Sequence, residues 1–229
     1  MRFPRLVASA LFLLAGTPAL YSQEAAVPPP LPLSIPPRPE VILDANSEQI
    51  EQLTHTTSTT LPALHLPEPI GANFTISFWI KLNDTPRLLE KEYSREAPVT
   101  LVDFYTIDAK EATQRVVIRI QDSKFSVTEQ NEGKWKALTG LATQATPDHW
   151  HFLTYTRTAT TGSLYLNGDV ILRTGSPLPA QDQLQTLVLG SFNRSRHAEG
   201  TFLKPRLYKE ALTRSQIQAL YQNRPQNAH

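Results

Sequence analysis

Hydrophobic and polar residues alternate with period two along most of the chain beyond Glu40. In Asn73–Leu82 (NFTISFWIKL), Phe74, Ile76, Phe78 and Ile80 share one parity, and Thr75, Ser77 and Trp79 share the other. Successive side chains of a strand project to opposite faces, so this run predicts a strand with one strongly apolar side. Comparable runs follow at Val99–Asp108, Arg115–Asp122, Lys124–Gln130, Gly133–Gly140, His149–Thr158, Ser163–Gly175, Gln185–Phe192 and Gly200–Lys209. They are rich in β-branched and aromatic residues and separated by turn residues, which predicts an all-β sandwich or barrel. No repeat of 20–50 residues recurs, so a solenoid or propeller is not expected.

Ser163–Gly175 (SLYLNGDVILRTG) reads as a complete hairpin. Asn167-Gly168 supplies the two positive-φ residues of a type I′ turn. That turn pairs Leu166 with Asp169, Tyr165 with Val170, Leu164 with Ile171 and Ser163 with Leu172. Both faces of the hairpin are then largely apolar, which places it inside the sheet system or under a covering segment. One helix is expected near the C-terminus. Thr213 caps it, Gln216 completes a capping box, and Leu212 and Ile217 form a hydrophobic staple. Ile217, Leu220 and Tyr221 form one apolar stripe that should lie on the sandwich.

The N-terminal region changes the picture. Arg2 and Arg5 precede the apolar run Leu6–Gly16, and small residues follow, the pattern of a signal peptide cleaved after Ser22, with Ala19 and Ala25 as alternative sites. An eleven-residue run is short for a bilayer span, and no later apolar stretch is long enough, so no transmembrane helix is expected after cleavage. Export to the cell surface, periplasm or medium is the expected fate. Residues 23–39 form a Pro-rich linker with seven Pro between Pro28 and Pro39, a stiff polyproline II spacer. Residues 40–229 form the folded domain.

The chain carries no Cys and a formal net charge of +1. Removing residues 1–22 removes two Arg and no acid, leaving +1 − 2 = −1, which gives no electrostatic case for nucleic acid. Without disulfides, an exported domain must draw its stability from one sizeable core or a bound ion.

Three phrases resemble the laminin-G-like, concanavalin A-like lectin domains: NFTISFWIKL, the run HWHFLTYTRTATTGSLYLNGDVI with its Tyr-x-Asn-Gly turn, and the closing LVLGSF…GTFLKPRLYKEALTRSQIQALY. In the last, Arg206, Tyr208, Ala211 and Leu212 match the family's Arg-x-Tyr-x-x-Ala-Leu phrase. The resemblance spans roughly Val41 to Gln222 and implies a jelly-roll β-sandwich of two antiparallel sheets with a short C-terminal α-helix. Where such domains commonly carry acidic residues in the closing strand, this chain has Phe202, Leu203, Lys204 and Pro205. Pro205 cannot donate to a ladder and points to an edge or a bulge.

The fold hosts lectins, adhesion modules, spacers and glycanases, so function must come from side chains. Glycanases of this architecture need carboxylates paired on one strand face, and no Glu-x-Asp-x-x-Glu run exists. Asp103 and Asp108 differ by five positions and point to opposite faces. No Gly-x-Ser-x-Gly elbow or Cys nucleophile is present, so a non-enzymatic role is expected. His149 and His151 share a parity, but with Trp150 turned inward both face outward, and a third zinc ligand is not evident. The resemblance implies calcium as the ion to weigh, with Asp44, Asn46, Asp103 and Asp169 as oxygen donors.

For ligand binding, Phe192–Gly200 concentrates Asn193, Arg194, Arg196 and His197, able to bond sugar hydroxyls or grip sulfate and carboxylate. Trp135 stands between Lys134 and Lys136. Turned outward, its indole is a platform for a sugar ring; turned inward, it joins the core while the lysines snorkel. The expected function is an exported, non-catalytic carbohydrate-binding or adhesion module whose partner is a glycan or a cell-surface protein. A structural or protein-interaction module of a surface or periplasmic assembly is the first alternative, and an unrecognised glycan hydrolase the second.

Overall fold

The structure, a computed structural model, describes residues 41–44, 53–55, 63–83, 99–106, 113–141, 143–174, 181–190 and 200–224. The expected leader, the Pro-rich linker, Asn46, Asp108 and the Asn193–His197 loop lie outside the described residues. Within them the period-two runs form fourteen strands and one helix. The first four strands are β1 (Val41–Asp44), β2 (Leu53–His55), β3 (Leu64–His65) and β4 (Phe74–Leu82). The middle of the chain forms β5 (Val99–Tyr105), β6 (Gln114–Gln121), β7 (Lys124–Asn131), β8 (Lys134–Ala137) and β9 (Thr139–Gly140). Then follow β10 (Trp150–Arg157), β11 (Gly162–Leu166), β12 (Asp169–Arg173), β13 (Thr186–Leu189), β14 (Gly200–Tyr208) and α1 (Arg214–Gln222).

All the pairings are antiparallel and fall into two sheets. The eight-stranded sheet runs β1-β14-β4-β10-β11-β12-β9, with β2 also on β14; the six-stranded sheet runs β3-β13-β5-β6-β7-β8. Chain-distant strands are neighbours along β1-β14-β4-β10, at β12-β9 and along β3-β13-β5, as a jelly-roll sandwich requires, while β10-β11-β12 and β5-β6-β7-β8 follow chain order. Phe74, Ile76, Phe78 and Ile80 of β4 face Leu101, Phe104, Val116, Ile118, Phe125 and Val127 of the other sheet across one buried core. Phe74 meets Phe104 edge-on with ring centroids 5.6 Å apart.

A second apolar cluster explains why so many strands are buried on both faces. Trp79, Phe152, Tyr165, Leu203 and Tyr208 lie on the opposite side of the eight-stranded sheet, covered by Leu212, Ile217, Leu220 and Tyr221. The helix is capped as its sequence dictates: Thr213 accepts from the Gln216 N–H, and the Gln216 side chain accepts from the Thr213 N–H. Tyr221 stacks on Trp79 at 5.7 Å, and the Arg224 guanidinium lies 5.5 Å from the Trp79 ring centre.

Three local expectations are corrected, and one of two alternatives is decided. Trp150 packs with the helix-side cluster, whereas His151 faces the inter-sheet core, edge-on to Phe125 at 5.2 Å. A strand apolar on both sides does not announce which parity faces which layer. The hairpin turn forms as expected, with Asn167 at φ 52° and Gly168 at φ 87°. Beyond Tyr165–Val170, however, a bulge pairs Leu164 with Leu172 and Ser163 with Arg173. Ile171 and Leu172 consequently both reach the main core, as two consecutive residues do at a bulge. Of the two positions expected for Pro205, the structure takes the bulge: Pro205 lies inside β14, between β4 on one side and β1 and β2 on the other, where the register shifts between Leu203 and Arg206 and Lys204 has φ 48°. The run Gly133–Gly140 is not one strand. It divides between sheets, β8 in one and β9 in the other, with buried Leu138 at the crossing.

Candidate functional site

The six-stranded sheet is apolar inward and mixed outward, where Val117, Val188 and Tyr105 stand among polar residues and are buried. Val116, Ile118 and Ile120 of β6 enter the core, so Arg115, Val117 and Arg119 project to the outer face. Two tight turns with positive φ at both positions, Asp122-Ser123 and Glu132-Gly133, lock β6, β7 and β8 in register. The result is one continuous cross-strand row: His65, Thr186, Tyr105, Arg115, Gln130 and Trp135, one residue from each strand.

Trp135 is 51% exposed, an outward indole at the sheet's edge. Beside it the Arg115 guanidinium lies 6.0 Å from the Trp135 ring centre and 5.9 Å from that of Tyr105. Arg115 is held there by Asp103 on the neighbouring strand: Nε donates to Oδ1 at 2.7 Å and Nη2 donates to Oδ2. A guanidinium fixed by a fork-to-fork pair loses little further freedom on meeting a ligand. Burial pushes the Asp103 carboxyl up, against the pull of Arg115. At the other end of the row, His65 Nδ1 and Thr186 Oγ1 are 3.1 Å apart.

Four residues along β6, Thr100, Arg119 and Ser126 form a parallel row on the same face, with Thr128 between the two rows. Arg119 Nε and Thr128 Oγ1 are buried without a hydrogen-bond partner. Burial lowers the Arg119 guanidinium from its usual range. An unsatisfied buried polar atom costs about 1–3 kcal/mol, so each such atom requires an explanation.

On the inner side lies a polar cluster that sequence reasoning missed. Glu129 of β7 accepts from the Tyr155 hydroxyl and, at 3.0 Å, from Arg157 Nε, both on β10 of the opposite sheet. All three are at most 2% exposed. Burial raises the Glu129 carboxyl, with Arg157 and Tyr155 opposing, and burial with Glu129 nearby holds the Tyr155 phenol well above its usual range. Glu129 and Asp103 are the buried carboxylates of the described residues, and they project from opposite faces of one sheet. That arrangement cannot place an acid and a nucleophile about 5 Å apart on one substrate.

The remaining candidates are dispersed. Asp169 is exposed at the hairpin and pairs with Arg214 Nη2 at 2.8 Å, in the other sheet from Asp103. Asp44 stands opposite Arg206 in β1. Among the described residues no group of three or more His, Cys, Asp or Glu converges, and Asp103 and Asp169 belong to different sheets. His149 is exposed with Nδ1 2.8 Å from the Pro147 carbonyl, and His151 is buried with Nε2 2.9 Å from the Thr146 carbonyl. Burial lowers the His151 imidazole.

A family model described as the concanavalin A-like lectin/glucanases superfamily matches residues 53–218. Among solved structures, domain 4 of the extracellular arabinanase AbnA from Geobacillus stearothermophilus, in complex with arabinotriose, is similar at TM-score 0.55. Identity is 16%, over 80% of this chain and 82% of that one. The heptameric SAP-like pentraxin of Limulus polyphemus is similar at TM-score 0.53 and 13% identity, over 74% and 80%. The binding domain of botulinum neurotoxin serotype D follows at TM-score 0.53 and 17% identity, over 70% of this chain and 39% of that one. These identities carry the fold alone. No curated protein matches the chain in sequence.

Proposed function

The chain belongs to the concanavalin A-like lectin/glucanase superfamily, and from that premise we propose that it is an exported, non-catalytic module that binds carbohydrate. The observation that carries the reading is the outward Trp135 beside the Arg115–Asp103 pair. An apolar ring face next to a fixed planar set of polar groups is the chemistry a pyranose needs: C–H groups stack on the indole while hydroxyls meet directed donors and acceptors. The arabinotriose complex of the AbnA domain, a protein of the same fold, supports the choice of a sugar as ligand. That the two buried carboxylates, Asp103 and Glu129, project from opposite faces of their sheet supports binding without turnover. The leader pattern supports export, and the Pro-rich segment a spacer.

Covering the exposed half of an indole of ~220 Å² removes roughly 110 Å², worth up to ~2.8 kcal/mol at ~25 cal/mol/Å². A ligand covering half of that gains about tenfold in affinity. A glycan array probed with the purified protein should therefore show selective, saturable binding that Trp135→Ala weakens about ten- to a hundredfold with the fold intact. Absence of binding to every glycan, together with co-purification of a protein partner that survives glycosidase treatment, would replace this reading with a protein-interaction module.

A further inference from the structure

We propose that Asn167 is a site of slow covalent modification, deamidation through a cyclic imide, and that helix α1 gates it. The inference is independent of the sugar-binding reading. The reaction is intrinsic to the Asn-Gly pair that makes the turn. The Gly168 backbone N–H gives its proton to water or hydroxide, and the nitrogen attacks Asn167 Cγ. A C–N bond forms, the Cγ–Nδ2 bond breaks, and ammonia leaves with a proton from solvent. Water then opens the imide at one of its two carbonyls, giving aspartate or isoaspartate. The sum is amide plus water giving acid plus ammonia, with no other reactant. Glycine favours the attack because no Cβ shields its nitrogen.

The fold opposes this chemistry at both reacting residues. The Asn167 N–H donates to the Phe152 carbonyl at 2.8 Å, and Asn167 Oδ1 accepts from the Phe152 N–H at 2.9 Å. Ring closure must break the second bond, because Cγ has to turn toward the following nitrogen. Gly168 is buried. A Cβ built on it would lie 3.3 Å from Gln218 Cγ and 3.7 Å from Tyr221 Cδ1, both on α1. Tyr221 also stacks on Phe152 at 6.1 Å. One helix therefore covers the nucleophile and the residue that clamps the electrophile, and its departure frees both.

The change runs one way. Isoaspartate carries an extra methylene in the main chain, so the two-residue turn between Leu166 and Asp169 cannot re-form in its register. Both products also place a second carboxylate beside Asp169, which already pairs with Arg214 of α1. A chain modified while the helix is open does not dock it as before.

The test incubates the full chain beside a synthetic peptide of Ser163–Gly175 at mildly alkaline pH, with peptide mapping by mass spectrometry to follow conversion at Asn167. Minor open states are typically ~0.1–10% populated, so the folded chain should deamidate ~10- to 1,000-fold more slowly than the peptide. Ile217→Ala, at the buried residue of α1, should bring the chain's rate toward that of the peptide. Tyr221→Ala serves where Ile217→Ala fails to fold. It removes the half-buried ring that lies on both Gly168 and Phe152, and should accelerate conversion in the same direction. Equal rates in the chain and the peptide would show that the fold does not protect Asn167. A protected chain whose rate is unchanged in the folded helix variant would show that α1 is not the gate. Each of these results overturns the proposal.

Discussion

Adding a single methyl at Gly162 should destabilise the domain more than its size implies. A Cβ there would stand 2.6 Å from Glu129 Oε1, 2.7 Å from the Tyr155 hydroxyl and 3.2 Å from Tyr155 Cε2. The contacted atoms are ends of side chains, which would ordinarily swing aside, but Glu129, Tyr155 and Arg157 are fully enclosed between the sheets. Relief of the clash must therefore separate the carboxylate from Tyr155 or Arg157. Breaking a buried charge pair costs about 3–5 kcal/mol. The alanine's smaller unfolded-state entropy returns ~0.4–1 kcal/mol. The expected net loss is ~2–4 kcal/mol, or a fall in melting temperature of about 4–16 °C for a domain of this size. Denaturant unfolding followed by tryptophan fluorescence measures it. Gly71→Ala is the internal control, since a Cβ there meets nothing within 4 Å. Gly162→Ala made in a Tyr155→Phe background should lose less than the sum of the two single losses, because the hydroxyl it strikes is gone. A Gly162→Ala protein melting with wild type would refute the claim that the triad is rigidly enclosed.

Two further outcomes follow from the same coordinates. Gly168→Val should lower stability in thermal melts, because it forces a β-branched side chain to φ 87° and brings its Cβ within 3.3 Å of Gln218 on the helix; unchanged melting would count against the tight turn. Glu129 should disfavour folding more as pH rises. Its folded pKa is raised above the unfolded value of 4.5, so the folded state holds the proton more tightly and the burial penalty is complete only above the folded pKa. The stability of wild type relative to Glu129→Gln should therefore increase as pH falls from neutral through the raised pKa toward 4.5. A relative stability that shrinks on acidification would show that Arg157, not desolvation, dominates.

The distribution of legible and hidden features follows the range of the forces involved. The alternation of β4, the Asn167-Gly168 turn and the Thr213–Gln216 capping box were readable because each is decided within a few residues by backbone dihedrals and neighbouring side chains. Half of the candidate face was readable in principle as well. Recognition of Asp122-Ser123 and Glu132-Gly133 as two-residue turns leads directly to the alignment of Arg115, Gln130 and Trp135. Those turns lack the Asn-Gly signature, so the sequence carries no strong local mark of the register.

The sequence by itself determined a β domain with a capped helix, its apolar core parity in β4, and an aromatic residue set between two lysines. Only the tertiary structure decided that Trp135 faces out beside Arg115, that Tyr105, Thr186 and His65 extend its row, and that His151 rather than Trp150 enters the core. It also decided that Glu129 is buried against a strand from the other sheet. The physical reason is that strand pairing and layer burial join residues far apart in the chain, as with Arg157 and Glu129. A strand covered on both sides carries no polar parity to reveal which layer each side chain will meet.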